Sequence, residues 1–448
     1  MTDPGGPSRG SALVGPVERT PRRRATSPAP STAPPDATAR RRALWPTRAG
    51  WPVWAFTAGM PLAYLVGAHG FVWCLPAVVF GARILSDRSA RFPPSSILLV
   101  VFLGWILLSL SVLTSGNGFL LFSYRWLLFA GALTTLVWLV NVPEAAVPTS
   151  QVVDWMAALW IALIVFGIGG ILLPNLASAS PLGLALGSTG RTGFIKELTD
   201  WRLAETQGFL GYPLPRPAAP FGATNGWGAA MGILTPFFIR SWIAEASPAR
   251  RRKGIAIGLV GVYPIIISVN RGLWVSLAVG LVYYAARKGL RGLFGPVLVL
   301  LGTMVVVTAL LVATPAGSLV AQRIDKSAKS NDARSTLYHL AFKGAVDSPL
   351  IGNGAPEHAA GFPKEMPPVG THGLIWYLMF VHGFVGLGLF LGWLFVEVIR
   401  SARVRTASGW WAHLSLVIAL VEVPFYGLLP QVVLFGVAAG ISHRELRT

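Results

Sequence analysis

The chain has 448 residues, 53% of them hydrophobic and only 12% charged, with 17 Trp and 23 Phe. Long apolar runs must therefore dominate it, which points to an all-α polytopic integral membrane protein. The net charge of +19 does not indicate nucleic acid, because the basic residues fall in short clusters between apolar runs and read as topology signals.

In chain order, residues 1–50 are rich in Pro, Ala, Ser, Thr and Arg, with RRR at 22–24 and 40–42. No apolar core of a signal peptide is present, so this reads as a disordered basic cytoplasmic tail, either topogenic or resting on anionic lipid. Residues 51–448 form the transmembrane domain. Taking about twenty apolar residues per crossing, spans are expected near 51–67, 70–86, 95–113, 119–140 and 151–173. Cys74, the single cysteine, lies in the second, so no intramolecular disulfide can form. Arg125 near the outer start of the fourth span is a membrane charge without a role legible from sequence.

The segment 174–223 is near-neutral, with four basic and three acidic residues. Arg216, in LPRPAAPFGATNGWG, stands just outside the sixth span, 224–240, where prolines stiffen the approach and Asn225 with the glycines makes a polar entrance.

Residues 254–286 are apolar except for Arg271. RRRK at 250–253 and RKGLR at 287–291 flank the run, and both clusters are expected in the cytoplasm, so the run must cross twice as a helical hairpin. Arg271 lies 18 residues after Lys253 and 16 before Arg287. That is roughly 24 to 27 Å at 1.5 Å per residue, near the far edge of a hydrocarbon core of about 30 Å. Arg271 is thus at the outer apex, either binding a ligand or snorkelling to lipid phosphate. Asn270 can hydrogen-bond at the helix break and Gly272 permits close approach.

After a span at 292–313, the second external segment, 314–371, carries six basic and five acidic residues. Within it, NDARSTLYHLAFKGAVDSP predicts a short amphipathic helix with Asp332 as N-cap and Arg334 in the first turn, where amides and guanidinium together suit a diphosphate. The alternative is a solvated charge. SPLIGNG follows as a turn and carries no chemistry by itself. His372 begins the tenth span, 372–396, at the outer boundary, where a partly desolvated neutral imidazole can take a proton from a hydroxyl. His382, deeper on that helix, reads as packed, and His339 and His358 lack metal-ligand spacing. The last spans are 409–424, which holds Glu422, and 427–441. Twelve spans place every short basic loop and both termini inside. No GxxxxGK[ST], HExxH or DxD motif occurs, which argues against an ATP-driven pump and a metal-dependent nucleotide-sugar enzyme.

Taken together, residues 216–388 resemble the O-antigen ligase and polysaccharide polymerase family of bacterial membrane glycosyltransferases. NRG at 270–272 is similar to that family's Ser-Arg-Gly break, ARSTLYHLAFKGAVDSPLIGNG to its Arg-led external helix and Pro-x-x-Gly-x-Gly turn, and THGLIWYLMFVHGFVGLG to its His-Asn-led span. Asn270 stands for Ser, Gly373 for Asn, and ATN at 223–225 for Asn-Pro-Asn. The resemblance implies a GT-C-like fold of about twelve helices in the plasma or inner membrane. It also implies transfer of a glycan from a polyprenyl (undecaprenyl-type) diphosphate to an acceptor hydroxyl on the outer face, without nucleotide, metal or other cofactor. His372 would act on the acceptor, and Arg271 and Arg334 would clamp the diphosphate, with Arg216 and Asn270 contributing. The implied partners are the lipid-linked glycan donor, a glycan, lipid or cell-wall acceptor, membrane lipids and other assembly proteins. Polymerase and ligase share this donor chemistry, and the GC-rich composition tilts the reading to polymerase. Twelve spans with membrane arginines suit two rivals: a transporter or flippase for a lipid-linked sugar or small anion, and a non-catalytic scaffold.

Overall fold

The computed structural model describes residues 44–113, 116–208, 212–313, 328–358 and 367–447. The basic tail through residue 43, and the parts of the second external segment at 314–327 and 359–366, lie outside the described residues.

The chain is mostly helical. Among the described residues three helices are long and apolar enough to cross a membrane, with spans Gly118–Asn141, Thr149–Leu172 and Leu374–Ser401. Every other expected apolar run also coincides with helix. The first is broken at Thr57–Gly59 into α1 (Trp51–Phe56) and α2 (Met60–Val66). The second runs through 3-10 and π turns into α3 (Gly81–Ser86). There follow α4 (Ser96–Leu107), α5 (Gly116–Asn141) and α6 (Thr149–Leu172). After a small lobe come α10 (Thr224–Ile239), α11 (Pro248–Ile267), α12 (Arg271–Gly289), α13 (Gly295–Ala313), α14 (Ala328–Asp347), α15 (Leu374–Ser401), α16 (Ala407–Glu422) and α17 (Val432–Glu445).

Between apolar helices the binding force is close packing more than hydrophobicity. Helix α17 lies along α5, and α10 packs on both α6 and α16. Gly436 makes the first contact possible, since a Cβ there would run into the Ala132 carbonyl. Trp73, Trp155, Trp227 and Trp393 are fully buried, and Trp160 stacks on Phe238 with centroids 3.8 Å apart. The basic ends of α10, α11 and α12 gather at the end of the bundle away from the α11–α12 turn. There Arg250 pairs with Asp154 at 2.7 Å, and Arg287 donates to the Ala402 carbonyl.

The segment between α6 and α10 folds as a small lobe. It contains short helices α7 (Pro181–Ala185), α8 (Gly187–Arg191) and α9 (Gly193–Thr199), and two antiparallel strand pairs, β1 (Ala177–Ser178) with β2 (Trp201–Arg202) and β3 (Ala204–Gln207) with β4 (Leu214–Pro217). Trp201 Nε1 donates to the Tyr64 carbonyl at 2.7 Å, and the Arg202 amide donates to Tyr64 Oη at 2.9 Å. These bonds tie the lobe to α2.

Two details differ from the sequence expectation. Helix α14 starts at Ala328, so Asp332 is not its N-cap and Arg334 lies beyond its first turn. The amides there are already bonded within the helix, so the guanidinium rather than the helix terminus must carry any anion contact. Likewise α15 begins at Leu374, and His372 stands in the approach to it.

The turn after α14 does more than reverse the chain. Helix α15 is interrupted at Gly383 (φ 70°, ψ −179°), and the turn fills the gap. The amides of Asn353 and Gly354 donate to the carbonyls of Phe380 (2.9 Å) and Val381 (3.0 Å), while the Phe384 amide donates to the Pro349 carbonyl at 2.8 Å. Non-helical backbone at membrane depth survives only where protein satisfies it, and here the turn does so. Gly352 and Gly354 both adopt positive φ, and a Cβ at Gly352 or Gly383 would strike the opposing main chain. The turn thereby clasps α14 to α15.

Candidate functional site

The site is assembled at the apex of the α11–α12 turn. Ser268 to Asn270 reverse the chain, with Val269 forced into the left-handed region at φ 45°, a costly conformation for a β-branched residue. Asn270 stabilises the reversal. Its Oδ1 accepts from the Leu273 amide at 3.3 Å, capping α12, and its Nδ2 donates to the Thr224 carbonyl at 3.0 Å. Tyr426 Oη donates to the same Oδ1. Small residues make room for this network: a Cβ on Gly272 would overlap the Tyr426 hydroxyl, and one on Gly228 would overlap Asn270 Nδ2. Arg271 is therefore the first residue of α12, half-buried on a rigid turn.

His372 approaches from the other side. The Leu374 amide donates to the carbonyls of Val423 (2.9 Å) and Tyr426 (2.7 Å), and Trp376 Nε1 donates to the Pro424 carbonyl at 3.2 Å. These bonds fix the start of α15 on the loop that carries Tyr426. Gly373 sits at φ 97° with Pro424 against its α-carbon, a conformation that explains glycine at this position. Thr371 Oγ1 donates to the Pro368 carbonyl at 2.7 Å, so towards His372 Nδ1, 3.1 Å away, it can only accept. Nδ1 thus carries the proton and Nε2 keeps a lone pair, an assignment made from the hydrogen-bond network. Burial, and secondly the charge of Arg334, hold the imidazole below the ordinary histidine value of 6.5.

Arg334 reaches this region from α14, whose next turn stacks Tyr338 on Trp376 with centroids 4.3 Å apart. Its charge acts on His372, on Arg271 and on Tyr426. Arg334 thus stands within electrostatic reach of both Arg271, the first residue of α12, and His372, in the approach to α15. Like charges gathered in one partly desolvated place favour an anion between them.

Arg216 adjoins the cluster in a different capacity. On β4, opposite Glu205 in register, its Nε donates to the Ser268 carbonyl at 2.6 Å and its Nη1 to Gln207 Oε1 at 2.6 Å. Gln207 Nε2 donates to Glu205 Oε1 at 2.6 Å, and Glu205 Oε2 accepts from the Thr224 amide at 2.9 Å. Arg216 is 6% exposed and straps the lobe to the apex, and its charge also acts on Tyr426. Sequence reasoning passed over Tyr426, Glu205 and Gln207. The alternation of Glu205 and Gln207 in a short polar stretch was a faint signal of a strand facing Arg216, whereas Tyr426 gave none.

The remaining membrane charges have separate settings. His382 is packed as expected, 1% exposed, with Ser109 Oγ 3.0 Å from Nδ1. The Glu422 carboxyl is wholly buried against Gly232, beneath the Tyr426 loop. Arg125 lies 4.8 Å over the Tyr377 ring. Among the described residues no three His, Cys, Asp or Glu side chains gather as metal ligands. In comparison with known proteins, the chain matches no family model and no curated sequence.

Proposed function

We propose that this protein is a membrane glycosyltransferase that moves a glycan from a polyprenyl diphosphate to an acceptor hydroxyl on the outer membrane face, as a polysaccharide polymerase rather than a ligase. The observation that supports it most is the convergence of Arg271, Arg334 and His372 at the apex end of the bundle, beside apolar helices where a lipid tail can lie. In this reading all twelve apolar runs cross a plasma or inner membrane in a GT-C-like arrangement, with both termini in the cytoplasm and the apex outside.

Each residue has a role in this reaction. Arg271 and Arg334 bind the donor diphosphate, and Asn270 and Arg216 hold the apex that presents Arg271. His372 Nε2 accepts the proton of the acceptor hydroxyl as that oxygen attacks the anomeric carbon. The new C–O bond forms while the bond to the diphosphate oxygen breaks, and the lipid diphosphate leaves with its electron pair. The configuration is inverted. The two guanidinium groups stabilise the charge that builds on the leaving group.

Purified protein in liposomes, supplied with a lipid-linked oligosaccharide, tests this directly. Longer glycan and released lipid diphosphate are expected. Passage of the donor across the bilayer with no new glycosidic bond would establish a flippase instead.

A further inference from the structure

A separate cavity of about 300 Å³ opens at Thr371, the residue before His372, the lower end of the range for small-molecule sites. None of Arg216, Arg271 or Arg334 lines it. Its walls come from the outer start of α5, from α9 of the external lobe, and from the loop between α16 and α17, and Thr371 lies on its rim. Phe194 and Phe221 contribute half-buried rings, Phe194 edge-on to Tyr124 at 5.2 Å and Phe221 backed by Trp73 at 5.8 Å. The polar groups are of both signs, Arg125 and Glu197. His69 adds a ring that is 4% exposed and whose Nδ1 has no hydrogen-bond partner among the described residues. Burial pushes that imidazole down to about 4, against the opposing pull of Asp200, so it is neutral at pH 7.

These features select the ligand class. A lipid tail has no use for Arg125 and Glu197, and a phosphate would be repelled by Glu197. A sugar ring offers an apolar C–H face to an aromatic ring and a rim of hydroxyls that both donate and accept, and this lining supplies groups for both. We propose that the cavity is a carbohydrate subsite that takes the terminal pyranose of the acceptor glycan, with Arg125 and Glu197 bonding its hydroxyls and Phe194 and Phe221 covering its face. Its role as the acceptor's site rests on the transferase reading. Thr371 then joins the bound sugar to the neighbouring His372, so the acceptor enters by a cavity that none of the three arginines lines.

The test uses the full-length protein in lipid nanodiscs, with a printed array of short oligosaccharides as the glycan probe and undecaprenyl diphosphate as the carrier probe. Wild type is expected to bind at least one pyranose-terminated array member. Arg125→Met and Glu197→Gln should each weaken that binding about tenfold or more, the scale of one lost hydrogen bond to a charged group, and leave undecaprenyl diphosphate binding unchanged. Glu197 is exposed, so its substitution tests the cavity even if Arg125→Met fails to fold. An array on which wild type binds nothing, or glycan binding retained by a folded variant, would overturn the proposal. Arg334→Ala separates the two readings: lost carrier binding with glycan binding intact agrees with both. Intact carrier binding would instead refute the transferase assignment while leaving the cavity's own result standing.

Discussion

At the scale of single residues, His372 has the most direct consequences. Its proton sits on Nδ1 by the bond to Thr371, and burial with the charge of Arg334 disfavours a second proton. The neutral base therefore persists below pH 6.5, and transfer should lose rate only at lower pH. Arg334→Gln removes one cause of that depression, so the acidic limb of its residual activity is expected to move to higher pH, measured as rate normalised to each variant's own plateau. His372→Ala should lower transfer by about 10²- to 10⁴-fold, the usual worth of a positioned base, with carrier binding retained. Gly272 offers a steric test. Gly272→Ala drives a methyl into the Tyr426 hydroxyl, so activity and thermal stability should both fall. Because the methyl would meet the ring carbon Cζ as well as the hydroxyl, the matching partner change is Tyr426→Ala: the double variant should lose less stability than the sum of the two single losses, and strictly additive losses would refute the contact. Arg271 and His372 stood out in the sequence as polar groups at the boundaries of apolar runs, whereas Arg334 stood out only by its place in the expected amphipathic helix. Tyr426 was not, because a tyrosine beside proline and glycine at a helix end looks like any interfacial aromatic.

Elements explain how those residues are held. The helix–turn–helix at 248–289 could be read from charge: a 33-residue run apolar but for Arg271 lies between two basic clusters, and the break at Ser268–Asn270 falls just before Arg271. The start of α14 was misplaced because Asp332 satisfies the local rule for a cap, while residues further upstream continue the helix regardless. The strand pair β3–β4 was missed because four-residue strands with two prolines have too little alternation to register, and their strength lies in cross-lobe partners such as Ser268 and Thr224. That dependence is testable. Arg216→Ala leaves Gln207 and the Ser268 carbonyl without their buried donor, a loss of about 1–3 kcal/mol. Limited proteolysis should then cut the lobe faster, and Arg216→Lys should restore little because a single ammonium cannot reproduce the fork.

For the whole molecule, composition and the spacing of basic clusters already fixed the class, since burial of helices against one another and against lipid draws on the same residues. The orientation proposed from the same clusters has a plain check. In a Cys74→Ser background, cysteines introduced at Ser188 or Thr336 should react with an impermeant maleimide added to intact cells, whereas cysteines at Arg88 or Arg291 should react only after lysis. Reversal of that pattern would put the arginine cluster on the wrong face for a lipid-linked glycan. A last consequence concerns descent rather than chemistry. The clasp binds the turn at Pro349–Gly354 to the break at Gly383 through main-chain groups that tolerate no side chain at Gly352 or Gly383. Neither half is useful alone, because a healed helix would expel the turn and a lost turn would leave the break unbonded in lipid. Descendants of this sequence should therefore keep or lose the two glycine sites together, a covariation that an alignment of relatives would check.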